Sequence, residues 1–219
     1  MILEDFVMLG KTAPETDRQG RVTVCSAGWS PELRQLIRIY PLAEDNCPPD
    51  FSVSQVHLER NNRDSRTESW AIAGDRSVEV HPNINARFDV KGILNDRESL
   101  FNQIPCVGSI KEANEQRLSL AVVEPDSSPK FYLEFNKNRV MKKKSTKSYD
   151  YIPRLKFTAG GKTHRLKYLN QEVYQNLGHN MHSSGFLRIK EKFITNPRLL
   201  VGNMFAFRNN WLVIAGLNA

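Results

Sequence analysis

The densest positive charge in this chain lies within residues 137–167, where eleven lysines and arginines are accompanied by a single acid, Asp150. The whole chain has 31 basic and 24 acidic residues and a net charge of +7, so the part outside this window holds 20 basic and 23 acidic residues. A concentrated positive field favours a polyphosphate partner, because each phosphate that is neutralised releases condensed counterions. We therefore favour nucleic acid as the ligand, with a solvated lysine-rich loop that contacts nothing as the alternative.

Candidate contact residues fall in two parts of this window. The first part is a loop of lysines without apolar periodicity, and the second is a hairpin whose cations alternate along two strands. Two tyrosines between them can stack on bases, although core packing is an equally common role for an aromatic side chain. The candidates are Lys142, Lys143, Lys144 and Lys147 of the loop, Arg154, Lys156, Arg165 and Lys167 of the hairpin, and Tyr149 and Tyr151.

A second arginine-rich segment, residues 60–69, adds Arg63 and Arg66 as candidate phosphate contacts. The same segment contains two carboxylates, and alternating charges neutralise one another locally. The alternative interpretation is therefore a salt-bridged turn that packs Trp70 beneath a barrel.

The elements that must position these cations begin with the hairpin itself. Residues 154–158 and 163–167 alternate in polarity and flank a glycine-containing connection at 159–162. If Thr158 pairs with Thr163, then Lys156 lies opposite Arg165 and Arg154 opposite Lys167. Like charges that face each other across strands destabilise a sheet, so such a face is favoured when an anion covers it.

Short strands with polar connections dominate the first half of the chain, and helices follow. Ser109 and Glu112 have the spacing of a capping box, which predicts a helix that begins after Ser109. The predicted strands span 22–25, 34–40, 52–58, 120–123, 131–135, 199–201 and 211–214, and the predicted helices span 96–103, 110–118, 169–177 and 186–193.

Two patterns could hold a metal. Asp126, Glu134 and Lys137 resemble the Pro-Asp … Glu-x-Lys arrangement of metal-dependent nucleases, but the Glu-x-x-Lys spacing here places Glu134 and Lys137 on opposite faces of a strand. His179 and His182 form His-x-x-His with no carboxylate or cysteine at metal-site spacing. The sequence therefore predicts no metal, no cofactor and no catalytic residue.

The compartment is indicated by cysteine usage and by hydropathy. Cys25, Cys47 and Cys106 are well separated and odd in number, which fits a reducing cytosol better than a disulfide framework or a zinc site. The first residues are too acidic for a signal peptide, and no apolar run approaches the ~20 residues that span a bilayer. We expect a cytoplasmic protein with no membrane partner.

Three short, mostly apolar stretches occur together in the chain. They are Val-Cys-Ser-Ala-Gly at 24–28 with Leu-Ile-Arg-Ile-Tyr-Pro at 36–41, Arg-Thr-Glu-Ser-Trp at 66–70, and Leu-Val-Gly at 200–202 with Trp-Leu-Val-Ile-Ala-Gly at 211–216. In this order they resemble a largely uncharacterised prokaryotic family from phage-related and defence-related contexts, in which a proline usually stands at the position of Thr67. The resemblance implies an OB-like, dual-OB-type barrel that serves as a nucleic-acid platform, and it implies no catalytic residue.

The sequence thus predicts an α+β fold in which a distorted OB-like antiparallel β-barrel carries helices on one side, as one domain over residues 1–219. The predicted function is that of a non-catalytic accessory subunit that binds the backbone and shape of DNA or RNA. We expect other protein subunits as partners, in a phage-related or genome-defence assembly. A metal-dependent nuclease and a protein-interaction adaptor with a basic loop are the two alternatives.

Overall fold

The computed structural model describes residues 1–17, 19–61, 64–74, 79–80, 97–141, 145–177, 189–191, 193, 195 and 197–218. Its strands are β1 Ile2–Lys11, β2 Glu15–Thr16, β3 Val22–Ser30, β4 Gln35–Ala43, β5 Val53–Arg60, β6 Ser69–Ile72, β7 Glu79–Val80, β8 Cys106–Val107, β9 Leu120–Val123, β10 Lys130–Phe135, β11 Tyr151–Ala159, β12 Lys162–Lys167, β13 Arg198–Met204 and β14 Phe207–Leu217. Its helices are α1 Arg97–Gln103, α2 Ile110–Glu115 and α3 Gln171–Leu177, with 3-10 turns at Glu44–Asn46 and Thr146–Ser148.

Five strands of the first half close into a barrel in the order β1-β3-β4-β6-β5, and β5 pairs with β1 to complete the ring. Four of these pairings are antiparallel, whereas β4 and β6 run parallel, with Arg38 opposite Ser69 and Ile39 opposite Trp70. A five-stranded Greek-key barrel in which the third and fifth strands are parallel has the OB topology. The predicted OB-like α+β fold is confirmed, with one parallel pair that the prediction of an antiparallel barrel did not include.

The barrel interior is filled by alternating apolar side chains of β1, β4 and β5, among them Phe6, Met8, Ile37, Ile39 and Val56. Strand β1 is buried at every position from 5 to 10, because its second face packs against the other half of the molecule through Val7 and Leu9. This strand was not predicted, since a strand covered on both faces shows no alternation.

Two further sheets and a second core complete the fold. Strands β8, β9, β13 and β14 form one sheet and β10, β11 and β12 another, and a bridge between Tyr168 and Val213 links them. A second core lies between these sheets and contains Leu155, Phe157 and Val201, with side chains of α2 and α3 against it. The prediction of a single domain over 1–219 stays a prediction.

The helices follow the sequence signals with small differences. The Ser109 hydroxyl accepts the Glu112 amide at 3.1 Å, as the capping pattern predicts, and the Glu112 carboxylate accepts the Gly108 amide at 2.8 Å. Helix α2 ends at Glu115 rather than near 118, because Arg117 has a left-handed φ of 58°. The predicted helix at 186–193 lies largely outside the described residues, of which 189–191 are helical.

The barrel depends on a glycine in β3, because Gly28 lies opposite Met8 in the antiparallel pair of β1 with β3. A Cβ atom built on Gly28 would lie 2.4 Å from the Phe6 ring and 2.4 Å from the Val7 carbonyl oxygen. We expect Gly28→Ala to lower the free energy of unfolding by about 2 kcal/mol or more, because a buried ring and backbone must move apart. Urea denaturation measures this loss. In Gly108→Ala the nearest atom would lie 3.5 Å away, so that control should stay within about 0.5 kcal/mol of wild type, and equal losses in both variants would contradict the account.

Candidate nucleic-acid interface

The cations of the hairpin are brought together by the register of β10, β11 and β12. Lys156 of β11 pairs with Lys130 of β10 on one side and with Arg165 of β12 on the other. In the next outward row Arg154 lies between Tyr132 and Lys167. The predicted pairing of Thr158 with Thr163, and of the cations with one another, is confirmed.

These five cations share one face of the sheet, which we call the basic face: Lys130, Arg154, Lys156, Arg165 and Lys167. The opposite face points into the second core, where Leu155 and Phe157 are buried. Neighbouring strands lie about 4.8 Å apart, and alternate residues on one strand about 6.7 Å apart. The basic face therefore concentrates its charge over roughly three strand widths and two side-chain rows.

One carboxylate neutralises part of the positive charge of the basic face. Glu134 of β10 forms an ion pair with Arg154. Among the described residues, no acid forms an ion pair with Lys130, Lys156 or Arg165, which lie opposite one another in a single row. This row is consequently the part of the sheet in which like charges repel without an internal counterion.

Sequence reasoning missed Lys130 and Tyr132, because both precede the basic window. Their strand alternates Lys-Phe-Tyr-Leu-Glu, and its pairing with β11 places Lys130 and Tyr132 outward. The available signal was this alternation next to the hairpin. Tyr132 is half-buried on the basic face, whereas Tyr151 pairs with Phe135 in a row of the opposite face and Tyr149 precedes β11.

The turn of the hairpin is fixed from outside. Gly160 and Gly161 have φ values of 58° and 73°, which suit glycine at both central positions of the turn. The Asp126 carboxylate accepts the Gly160 amide at 3.2 Å and the Gly161 amide at 3.0 Å, and the Asp126 amide donates to the Thr158 carbonyl at 2.7 Å. Asp126 thus holds the two glycines of the turn in place through hydrogen bonds to their amides, and we call this contact the Asp126 clamp.

The same contacts bear on the nuclease alternative. Asp126 binds turn amides and Glu134 pairs with Arg154, so the two carboxylates of the candidate motif have separate partners. Over the described residues, no group of three or more histidine, cysteine, aspartate or glutamate side chains is placed to hold a metal ion. His179 and His182 lie outside the described residues.

The loop candidates are only partly described. Lys142, Lys143 and Lys144 lie outside the described residues, and Lys147 is exposed. The end of this loop is anchored to β2. The Glu15 carboxylate accepts hydrogen bonds from the Thr146 amide at 2.9 Å and from the Thr146 hydroxyl at 2.5 Å. The position of Lys147 is therefore fixed by its neighbour in sequence.

The two candidate tyrosines both contact other rings. The Tyr149 ring packs edge-on against Tyr174 with centroids 5.1 Å apart, and the Tyr151 ring packs edge-on against Phe135 at 6.0 Å. Asn136 also binds the Tyr149 carbonyl through its side-chain amide at 3.0 Å. These contacts favour the interpretation of both tyrosines as anchors of the loop, and their role in stacking on bases stays a prediction.

The arginine-rich segment at 60–69 has the features of the salt-bridged turn. Arg66 is buried, pairs with Asp64 at 2.5 Å and donates to the Asn203 carbonyl at 2.8 Å. Burial raises the pKa of Asp64, but hydrogen bonds from Arg66 outweigh it and hold this pKa below its usual value. The Arg60 guanidinium lies 3.7 Å above the Trp70 ring. Arg63 lies outside the described residues, and its role stays a prediction.

Asp126 offers a direct test of the clamp on the turn. Asp126→Ala removes both acceptors of the Gly160 and Gly161 amides, and we expect the free energy of unfolding to fall by about 1 kcal/mol. Ser127→Ala, at an exposed neighbouring position, is the matched control and should leave stability unchanged. Urea denaturation of the two variants provides the measurement, and equal stability of both would count against the clamp.

The environment of His164 in β12 predicts that the stability of the protein depends on pH. Burial, and then the charge of Lys162, lower the pKa of His164, whose ring lies 5.3 Å from that of Phe157. A folded-state pKa below the unfolded value favours the neutral form, so this contribution to stability is present above about pH 6.5 and is lost as the pH falls below it. His164→Gln should therefore lose less stability than wild type between pH 7.5 and 5, measured by thermal denaturation. Parallel losses in both proteins would contradict this assignment.

The first half of the chain matches a protein-family model, and the chain is similar to a solved structure. A family model described as Domain of unknown function (DUF8758) matches residues 3–101, which include the five barrel strands. The sequence matches no curated protein. Among solved structures, the chain is similar to the Ifi202 HINa domain in complex with a 20-base-pair double-stranded DNA, with 9% identity over 100% of this chain and 95% of that chain and a TM-score of 0.41. A TM-score of this size does not establish a shared fold, so the fold assignment rests on the strand order.

None of the helices in the described part of the chain is long and apolar enough to cross a bilayer.

Proposed function

We propose that the chain is a non-catalytic accessory subunit that binds nucleic acid on its basic face. The observation that carries this proposal is the outward row formed by Lys130, Lys156 and Arg165 across three paired strands. Like charges directly opposite one another destabilise a sheet, and a phosphate backbone laid over the row replaces that repulsion with attraction. The cations lie on paired strands, so their backbone is already ordered before the ligand binds. The entropy cost of ordering the backbone on binding is therefore small.

The chemistry of the basic face favours contact with the backbone over the reading of base edges. Its donors are cations on an open sheet, and such groups neutralise phosphates without discriminating between sequences. Tyr132 lies in the row next to the cations and offers one ring for stacking on a base. We accordingly propose that DNA and RNA are both ligands, recognised by backbone and shape.

The lysine loop is proposed as a second contact on the basis of its charge. Lys142, Lys143, Lys144 and Lys147 precede the first strand of the hairpin in sequence, and Thr146 ties the end of this loop to Glu15 of β2. Contacts between these lysines and the phosphate backbone would add salt-dependent affinity.

The setting of the protein is proposed from the family resemblance alone. The motifs at 24–28, 36–41, 66–70 and 211–216 support a place in a phage-related or genome-defence assembly in the cytoplasm, together with other protein subunits. An adaptor that meets an acidic protein through the same cations is the competing function, and a binding experiment separates the two.

The proposal is tested by removing the central row. We expect Lys156→Ala with Arg165→Ala to weaken binding of a 15-nucleotide single strand about tenfold or more. The slope of log affinity against log salt should become shallower by about 1.4, because two phosphate contacts are lost at roughly 0.7 each. Fluorescence anisotropy across a salt series, with labelled single-stranded DNA, single-stranded RNA and duplexes, measures both quantities.

The matched control is Lys111→Ala with Lys190→Ala, which removes the same charge at exposed positions off the three strands. This control should keep the wild-type salt slope. Equal effects in the two double variants would show that net charge alone is responsible. No binding to any nucleic acid at low salt, together with salt-sensitive binding to an acidic protein, would favour the adaptor.

A further inference from the structure

A polar cavity of about 290 Å³ lies where three parts of the chain meet. Its wall is formed by the turn before β6, by the segment that runs from the end of α2 to β9, and by the hairpin of β13 and β14. Ser65, Asn114 and Asn209 belong to this wall and are exposed, so the cavity opens to solvent. We call it the arginine cavity, after the arginines that line it: Arg66, Arg117 and Arg208.

Arg208 joins two sides of the arginine cavity. It lies on β14, and its Nη2 donates to the Ser65 hydroxyl of the facing turn at 3.2 Å. A guanidinium has five N–H donors in one plane, and this bond uses one of them. Arg208 is exposed, so a ligand can approach it from solvent.

Arg117 has a backbone conformation that glycine usually provides. It follows the end of α2 with a φ of 58°, and its amide donates to the Asn114 carbonyl at 3.0 Å. Left-handed backbone at the end of a helix favours glycine, because an L side chain is strained there. An exposed arginine at such a position, in the wall of a cavity, indicates a role for its side chain.

Two carboxylates near these arginines offset part of their charge. Asp64 pairs with Arg66 at 2.5 Å, so the charge of Arg66 is balanced within the protein. Glu68 lines the arginine cavity, and its carboxylate accepts hydrogen bonds from the hydroxyls of Ser119 and Thr67. Glu68 therefore adds one negative charge to the wall, and its oxygens already have donors.

The remaining charges leave the arginine cavity with a surplus of one positive charge. Among the residues that the structure describes, no acid forms an ion pair with Arg117 or Arg208, and Glu68 offsets one of these two cations. Asn114 supplies a neutral donor as well. Its side-chain oxygen accepts the Trp211 indole N–H at 2.9 Å, so its NH2 group is the part that can donate to a ligand.

We infer that the arginine cavity binds one phosphodiester group of a nucleic-acid strand. The inference rests on the proposed function and adds to it a second phosphate site, built from elements other than β10, β11 and β12. In this site the non-bridging oxygens accept hydrogen bonds from Arg117 and Arg208. Guanidinium groups suit this role, because their donors match the spacing of two phosphate oxygens.

Charge and the number of acceptors distinguish a phosphodiester from other anions. A phosphodiester carries one negative charge, which matches the surplus of the cavity, whereas a phosphate monoester brings further negative charge beside Glu68. A carboxylate has the same charge but only two oxygens. The four oxygens of a phosphodiester can engage both arginines and the Asn114 amide together.

The experiment uses a ligand with a single phosphodiester group, the dinucleotide thymidylyl-thymidine, and follows the NMR signals of ¹⁵N-labelled protein. We expect saturable shifts of the Arg117 and Arg208 Nε–H signals and of the amides at 65–68, 117–119 and 208–209. Thymidine, which lacks the phosphate, should give none of these shifts. Inorganic phosphate and acetate should bind at least threefold more weakly than the dinucleotide. Because each signal belongs to one residue, binding at the basic face does not contribute to this readout.

Variants locate the effect. Arg117→Gly with Arg208→Gln should weaken the binding of the dinucleotide at 65–68 about tenfold or more. Arg117→Gly places glycine where the backbone favours it, so thermal denaturation of this single variant should show an unchanged or higher Tm, and a loss of affinity is then not a loss of fold. Lys111→Gln with Lys190→Gln is the matched control, since it removes the same charge at exposed positions outside the cavity wall, and it should bind as wild type does.

A longer strand connects the site to nucleic acid. For the single-stranded 15-mer, the Arg117/Arg208 variant should lower affinity about threefold and make the salt slope shallower by about 0.7, the loss of one phosphate contact. An unchanged salt slope in this variant would overturn the assignment of the site to a nucleic-acid strand.

The outcomes separate this inference from the proposed function. Salt-dependent binding of the 15-mer that depends on Lys156 and Arg165, with no dinucleotide shifts at the arginine cavity, overturns the cavity site and leaves the basic face standing. Equal shifts with thymidine overturn the anion site, and binding of acetate or inorganic phosphate as tight as that of the dinucleotide overturns the choice of a phosphodiester. Binding of the 15-mer that depends on Arg117 and Arg208 but not on Lys156 and Arg165 supports the cavity and overturns the basic face.

Discussion

The register of the β11–β12 hairpin is the constraint on which the proposed interface depends. Side chains alternate along a strand, so a shift of one residue would carry Leu155 and Phe157 into water and the cations into the second core. The turn at Gly160 and Gly161 sets this register, and Asp126 holds the turn. A residue outside the basic window therefore determines which way the charge of that window points.

The barrel and the two other sheets are joined by buried polar contacts as well as by a shared apolar cluster. Arg38 and Arg66 both donate to the Asn203 carbonyl, one from a barrel strand and the other from the turn before β6. Such contacts fix the position of β13 relative to the barrel, because a buried guanidinium without its carbonyl acceptors is costly.

The sequence allowed some of this arrangement to be predicted and hid the rest for physical reasons. The hairpin was predictable because alternation, the two glycines and the charges all agree on one register. Lys130 and Tyr132 were missed because membership of the basic face depends on strand pairing, which composition does not show. Strand β1 was missed because it is buried on both faces, and the parallel pairing of β4 with β6 joins segments that no local pattern connects.

The central claim is that nucleic acid lies on the outward side of β10, β11 and β12, and amide chemical-shift perturbation of the isotope-labelled protein tests it most directly. Titration with a single-stranded 15-mer at low salt should give its largest shifts at 130–134, 152–158 and 163–167, and these shifts should reverse when salt is added. Shifts confined to the closed barrel, or shifts on the hairpin that are insensitive to salt, would contradict the account.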